Sequence, residues 1–202
     1  MKSIFEITIY GRGGQGAKTC AQIIAESAML SGNHIQAFPE YGPERRGAPV
    51  RSFVRISNKP IRVHEPISDP DIVIVIDSGL FDVITDLKKY TCAVIINSDK
   101  KIKNIKSTKK IILDGSKIAM EEIKINNPNI VLIGTLLKYL KTIKKDKIIN
   151  YKKVEEAISE EFKKKNKDFL IKPNLNCLKR GFESLWDILK QEVFLLIKIN
   201  FY

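Results

Sequence analysis

Apolar positions along the 202-residue chain follow two periods, and the periods alternate. Residues 3–10, Ser-Ile-Phe-Glu-Ile-Thr-Ile-Tyr, are rich in β-branched and aromatic side chains and predict a buried strand. Residues 17–31 then place Ala21, Ile24, Ala25, Ala28 and Met29 at helical spacing, with Gly32 as a natural stop. Residues 34–38 predict a second strand that ends at Pro39. Residues 50–56 alternate, with Val50, Ser52, Val54 and Ile56 on one face and Arg51, Phe53 and Arg55 on the other. A short extended piece follows at 61–63, after the turn Asn58-Lys59-Pro60. Apolar runs at 72–77, 93–97 and 110–114 have the form of parallel strands covered on both faces. Helical patterns lie between and after them, around 80–89, 118–125, 131–143, 154–165 and 175–190. Strands alternating with helices predict an α/β fold: a mainly parallel sheet layered by helices, Rossmann-like, in three layers. No internal repeat and no long linker divides the chain, so residues 1–202 are expected to form a single domain.

Composition narrows the function classes. Hydrophobic residues make up 44% of the chain, enough for a core, which excludes wholesale disorder. No apolar run approaches the roughly 18–20 residues of a membrane span, so no membrane partner is expected. Glu6 interrupts the stretch where a secretory signal would be apolar. Cys20, Cys92 and Cys177 are widely spaced, with neither metal nor disulfide spacing, and a cytoplasmic location follows from both features. The formal charge is +12, of which residues 1–80 contribute only +1. Six of the seven arginines precede residue 63, whereas lysine dominates the later sequence. Arginine's planar fork suits bidentate anion contacts; dispersed lysine is usually a solvated surface. These lysines accompany Ile and Asn without interleaved aromatics, so no nucleic-acid partner is expected. The lysine-rich stretch 98–110 is the expected surface excursion.

Two constellations carry candidate chemistry. The first, Gly11-Arg12-Gly13-Gly14-Gln15-Gly16, meets the G-x-G-x-x-G pattern between a predicted strand and a predicted helix. Glycines let the backbone turn sharply and bring amide groups near a ligand. The following helix adds unpaired N–H donors and a positive dipole end, so phosphate is the natural guest. Lys18 and Thr19 add a charge and a hydroxyl in the first turn. Three readings fit. A dinucleotide site wants an acid at the end of the second strand, where the chain has Ala37-Phe38-Pro39 and then Glu40. A triphosphate loop wants adjacent Gly-Lys-Thr, and Gly16-Ala17-Lys18-Thr19 is one residue out of register. The third reading is a tight strand-to-helix turn without a ligand.

The second constellation, Phe38-Pro39-Glu40-Tyr41-Gly42-Pro43-Glu44-Arg45-Arg46-Gly47-Ala48-Pro49-Val50, sets two adjacent arginines in a stiff loop. Pro43 and Pro49 reduce the entropy lost when such a loop grips a partner. Either Glu40 and Glu44 pair Arg45 and Arg46 internally, or the arginines face a ligand or a neighbouring subunit. Other signals point to packing. Cys20 suits the core, and His34 and His64 each stand alone. Phe182, Trp186 and Leu189 form a helix stripe, and the apolar stretch 193–197 docks either on this domain or on another subunit.

Together, the glycine loop, the arginine-pair segment and the following Phe53-Val54-Arg55-Ile56 resemble the gamma subunit of pyruvate (2-oxoacid):ferredoxin oxidoreductase, also called pyruvate synthase. The resemblance continues through Lys59-Pro60-Ile61 and Pro70-Asp71-Ile72-Val73-Ile74-Val75-Ile76-Asp77, and more thinly at 129–137 and 172–183. Glu44-Arg45-Arg46-Gly47-Ala48-Pro49 is similar to the pyruvate group, with the 2-oxoisovalerate group close behind. Subunits for 2-oxoglutarate or indolepyruvate tend to carry an Arg-Gly-Gly form instead.

The resemblance implies a complex that decarboxylates a 2-oxoacid on thiamine diphosphate and releases an acyl-coenzyme A. Electrons pass through [4Fe-4S] clusters to ferredoxin or flavodoxin. Thiamine diphosphate, magnesium and the clusters would belong to alpha, beta and delta partner subunits. The present chain has no Cys-x-x-Cys run and no Gly-Asp-Gly with a distant Asn, so no metal site and no catalytic residue are assigned to it alone. Its implied role is to support assembly and to help receive coenzyme A. Gly11, Gly13, Gly14, Gln15, Gly16, Lys18 and Thr19 would lie at the pyrophosphate, and Arg45 and Arg46 at the ligand or a neighbouring subunit. A free-standing dinucleotide-dependent dehydrogenase is the alternative from another class.

Overall fold

β-Branched residues dominate the strands β1 (Ile4–Arg12), β2 (His34–Tyr41), β3 (Pro49–Ser57), β4 (Ile72–Val75), β5 (Ala93–Asn97) and β6 (Lys110–Leu113). The computed structural model describes residues 4–41, 47–107 and 109–184. The strands form one six-stranded sheet in the order β2-β3-β1-β4-β5-β6. β4, β5 and β6 continue parallel from β1, whereas β3 is antiparallel to both β1 and β2. Only β3 runs against the rest, so the sheet is mixed but mainly parallel.

Helices α1 (Ala17–Leu30), α2 (Leu80–Val83), α3 (Gly115–Ile123), α4 (Asn129–Thr142) and α5 (Tyr151–Lys164) are joined by α6 over 171–184. On one face, Ile7, Ile9, Val54, Ile72, Ile74 and Ile95 share a core with α1, α4, α5 and α6. On the other, Tyr10, Val73, Val75, Val94 and Ile96 pack against Leu80, Phe81, Leu87 and Ile105. The result is the expected three layers. Among the described residues, no helix is long and apolar enough to cross a membrane.

Several boundaries differ from the sequence expectations. β2 runs through Pro39 to Tyr41, because it is an edge strand and Pro39 need not donate outward. Residues 61–63 join no strand; they lie in an excursion clamped from beneath by Arg55. That guanidinium is 1% exposed and donates to Glu6 Oε1 at 2.8 Å, Gln36 Oε1 at 3.0 Å and the Glu65 carbonyl at 2.6 Å. A buried cation persists when a carboxylate balances it and its donors are satisfied. Phe53 and Arg55 on one face of β3 and Val54 and Ile56 on the other are all buried, so the alternation does not separate a covered face from an open one. The predicted helix at 80–89 is a single α turn, followed by a 3-10 stretch at Thr85–Lys89. Ile84 adopts an extended conformation between them, within the β-branched run Val83-Ile84-Thr85 that disfavours helix. Trp186, Leu189 and the stretch 193–197 lie outside the described residues.

α4 and α6 cross backbone to backbone. A Cβ on Gly134 would lie 2.1 Å from the Leu178 carbonyl oxygen, and one on Gly181 would lie 2.0 Å from that of Val131. Thr135 Oγ1 completes the seam by donating to the Gly181 carbonyl at 3.2 Å. Overpacking of this kind typically costs about 1–3 kcal/mol. Gly181→Ala is therefore expected to lower the unfolding free energy from urea titration by at least about that amount, with a lower midpoint, while Lys179→Ala on the exposed side of α6 leaves both unchanged.

Candidate functional site

The chain leaves β1 toward β2 and β3 on one side, then resumes at β4 on the other. The boundary between β1 and β4 is thus a topological switch point, where open α/β sheets present ligand crevices at their carboxyl edge. The glycine loop occupies that boundary. Gly14 and Gly16 have φ of 95° and 78°, in the left-handed region that favours glycine. A Cβ on Gly16 would also come within 2.5 Å of Asn129 Nδ2. Gly16 is the N-cap of α1 and supplies no side-chain cap.

The loop is held from within and from the neighbouring strand. The Arg12 amide donates to Gln15 Oε1 at 2.8 Å, and the Gln15 amide returns to the Arg12 carbonyl at 3.0 Å. Asp77 follows β4 and reaches across the switch point. Its Oδ2 accepts from Arg12 Nε at 3.0 Å and Gln15 Nε2 at 2.9 Å, while Oδ1 accepts the Gly79 amide at 2.9 Å. Charge assistance makes the guanidinium bond the strongest of these.

A crevice of about 250 Å³ opens beside the loop, bounded by Gln15, Asp77, Asn97, Asp114, Ser116 and Pro128. Asn97 ties three elements together at its rim. Its Nδ2 donates to the Ile76 carbonyl and to Ser116 Oγ, both at 2.9 Å, and its Oδ1 accepts the Ser116 amide at 3.0 Å. Asp114 caps α3 by accepting the Lys117 amide at 2.9 Å. With Asp77, Asp99 and Asp114 on its lining, the crevice suits hydrogen-bond donors better than phosphate. A second cavity of about 200 Å³ lies between the first turn of α1 and the α5–α6 region, lined by Thr19, Asn127, Phe162, Leu170 and Asn174.

The structure separates residues that the sequence grouped. Gly11 belongs to β1 and pairs with Val50; a Cβ there would meet the Ala17 Cβ at 3.3 Å. The Gly13 amide is engaged by the Ala48 carbonyl at 2.9 Å. Among the described residues, the loop amides without a hydrogen-bond partner are those of Gly14 and Gly16. Gln15 turns toward Asp77 and positions the loop. Lys18 is exposed on α1, and Thr19 faces the second cavity. Arg45 and Arg46 lie outside the described residues.

The dinucleotide reading loses its geometry, because β3 stands between β1 and β2. Glu40 is therefore two strand spacings, roughly 10 Å, from β1. It also pairs with Arg51 at 2.7 Å. Residues that sequence reasoning missed are Asp77, as a partner of the loop, together with Asn97 and Asp114. Their signal was present: each is the first polar residue after a parallel apolar run, at the carboxyl edge.

Burial pushes the Cys20 and Cys177 thiols up to about 12, with Glu122 adding to the effect at Cys177. Both remain protonated near neutral pH, so neither supplies a thiolate nucleophile. Ellman's reagent at pH 8 is expected to modify these two cysteines only after denaturation. Asp77→Ala removes the acceptor shared by Arg12 and Gln15. It is expected to speed hydrogen exchange at the Gly13 and Gln15 amides by about tenfold or more, with the α4 amides unaffected.

Comparison with known proteins agrees with this architecture. The family described as pyruvate ferredoxin/flavodoxin oxidoreductase matches residues 6–184. Pyruvate synthase subunit PorC of Thermotoga maritima is 36% identical over 190 residues, covering 91% of this chain and 96% of the relative. The pyruvate/ketoisovalerate oxidoreductases common subunit gamma of Pyrococcus furiosus is 41% identical over 167 residues, covering 79% and 87%. The crystal structure of the Thermotoga maritima PORC subunit superposes with a TM-score of 0.71 at 32% identity, covering 90% of this chain and 97% of that one. The chain belongs to the pyruvate ferredoxin/flavodoxin oxidoreductase family, among its gamma subunits.

Proposed function

We propose that this chain is the non-catalytic gamma component of a pyruvate:ferredoxin oxidoreductase, or pyruvate synthase, and helps that complex assemble and receive coenzyme A. The complex would interconvert pyruvate and coenzyme A with acetyl-coenzyme A and carbon dioxide. Two electrons would pass to or from ferredoxin or flavodoxin. Alpha, beta and delta partners would carry thiamine diphosphate, magnesium and the [4Fe-4S] clusters, in a cytoplasmic, single-domain division of labour.

The observation that carries this reading is the glycine loop at the switch point, held by Asp77 with α1 starting directly behind it. Coenzyme A combines anionic phosphates with a long neutral arm rich in amides and hydroxyls. The Gly14 and Gly16 amides, the positive end of α1 and the exposed Lys18 fit the pyrophosphate. The carboxylate-lined crevice fits the neutral, hydrogen-donating parts, which seats the phosphates at the loop's outer side. A 2-oxoglutarate:ferredoxin oxidoreductase from Magnetococcus marinus, similar in fold at a TM-score of 0.72 and 20% identity, was solved with 2-oxoglutarate, coenzyme A and succinyl-CoA bound. This chain corresponds to 31% of that protein's length. The name of the Pyrococcus relative spans pyruvate and ketoisovalerate, so a 2-oxoisovalerate complex is the second reading.

The test is co-expression with alpha, beta and delta subunits and steady-state kinetics of the purified complex. Lys18→Ala is expected to raise the KM for coenzyme A about tenfold with KM for pyruvate unchanged and the complex intact. The double variant Arg45→Ala/Arg46→Ala separates two roles for the arginines. A raised KM for coenzyme A identifies ligand contact, and loss of co-purification identifies assembly.

A further inference from the structure

The connection from β5 to β6, residues 98–109, joins two adjacent parallel strands with no helix among its described residues. Such crossovers ordinarily contain one, and structureless connections of this length are uncommon unless functional or disordered. This one is anchored. Ile105 is buried and Ile102 packs beside it against the second core. Ser107 Oγ donates to the Cys92 carbonyl at 2.6 Å, and the Lys106 amide donates to the Lys88 carbonyl at 3.0 Å.

Between these anchors every lysine is exposed: Lys100, Lys101, Lys103, Lys106 and Lys109, with Lys110 beginning β6. Asp99 is the one acid in the stretch 98–110, which therefore holds +5 of the chain's +12. Some lysines elsewhere are differently placed. On α5, Lys153, Lys163 and Lys164 reach Glu156, Glu160 and Glu26 at 2.8–3.3 Å. None of the six lysines at 100–110 forms an ion pair with a described residue.

We infer that this shelf of lysines is a docking surface for a protein that presents a carboxylate-rich face. Six like charges on an anchored segment repel one another, and an anionic partner relieves that repulsion while the anchors limit the ordering cost. Nucleic acid fits less well, because the segment has no arginine and no aromatic side chain on which a base could stack. Charge complementarity of this kind governs encounter rate and register and weakens with salt.

The inference rests on the reading of this chain as one subunit of a complex, and the experiment keeps the two separable. Co-purification of the assembled complex reports on the subunit reading. Acetylation with N-hydroxysuccinimidyl acetate, read by mass spectrometry in the isolated chain and in the complex, reports on the shelf. Lys100, Lys101, Lys103 and Lys106 are expected to react about tenfold more slowly in the complex at low salt. They should regain their reactivity at high salt and form carbodiimide cross-links to Asp or Glu of another subunit. Unchanged reactivity in an intact complex overturns the docking surface while leaving the subunit reading in place. Protection that nuclease or detergent abolishes, without carboxylate cross-links, also overturns it, since the partner is then a nucleic acid or a lipid surface.

Discussion

One carboxylate sets the geometry of the carboxyl edge. Asp77 stands where β4 ends and accepts hydrogen bonds from both polar side chains of the glycine loop that follows β1. Without such a partner, a loop with left-handed backbone at Gly14 and Gly16 has many conformations of similar energy. With it, the loop becomes part of the sheet. The constraint then passes along the edge: Asn97 joins the end of β4 to β5 and to the first turn of α3. Each link uses a side chain to satisfy backbone groups that the sheet and helices leave unpaired at their ends.

The same edge explains why the loop differs from a simple phosphate cradle. A cradle needs amides pointing outward, yet the amides of Arg12, Gly13 and Gln15 are engaged within the protein. Rigidity is gained at the cost of donors. Positive charge for an anion must then come from α1, from Lys18 or from the arginine pair. Carboxylates line the crevice beside the loop and would repel an anion placed within it.

Much of the architecture was legible from side-chain period alone. The apolar runs that became β4 and β5 read as doubly covered strands and are buried along their length, whereas β6 at the sheet edge is only partly covered; α1 carried both its stripe and its stop at Gly32. Tertiary context decided the rest. Pro39 suggests a strand end only while the position of β2 at the sheet edge is unknown. The period of two assigns Arg55 to a face of β3 but does not reveal that the excursion carrying Glu65 covers that face. The alternation of residues 50–56 against the continuous runs of β4, β5 and β6 hints at the reversed direction of β3, but which strands it would pair with is set by the sheet order. For the site, the glycines announced themselves by spacing, whereas Asp77 is 62 residues from Gln15 and its partnership is a property of the sheet order.

That order also bears on how the chain is made. β1 is synthesised early but sits in the interior of the sheet, and its two neighbours, β3 and β4, begin at residues 49 and 72. While a ribosome is still translating the intervening stretch, both hydrogen-bonding margins of β1 are bare. The first helix can form promptly, yet its apolar stripe has only a lone ribbon to lean on. Nascent gamma-type chains of this topology therefore pass through an interval of exposed strand before the scaffold closes, and chaperone contact during elongation suits such a sequence.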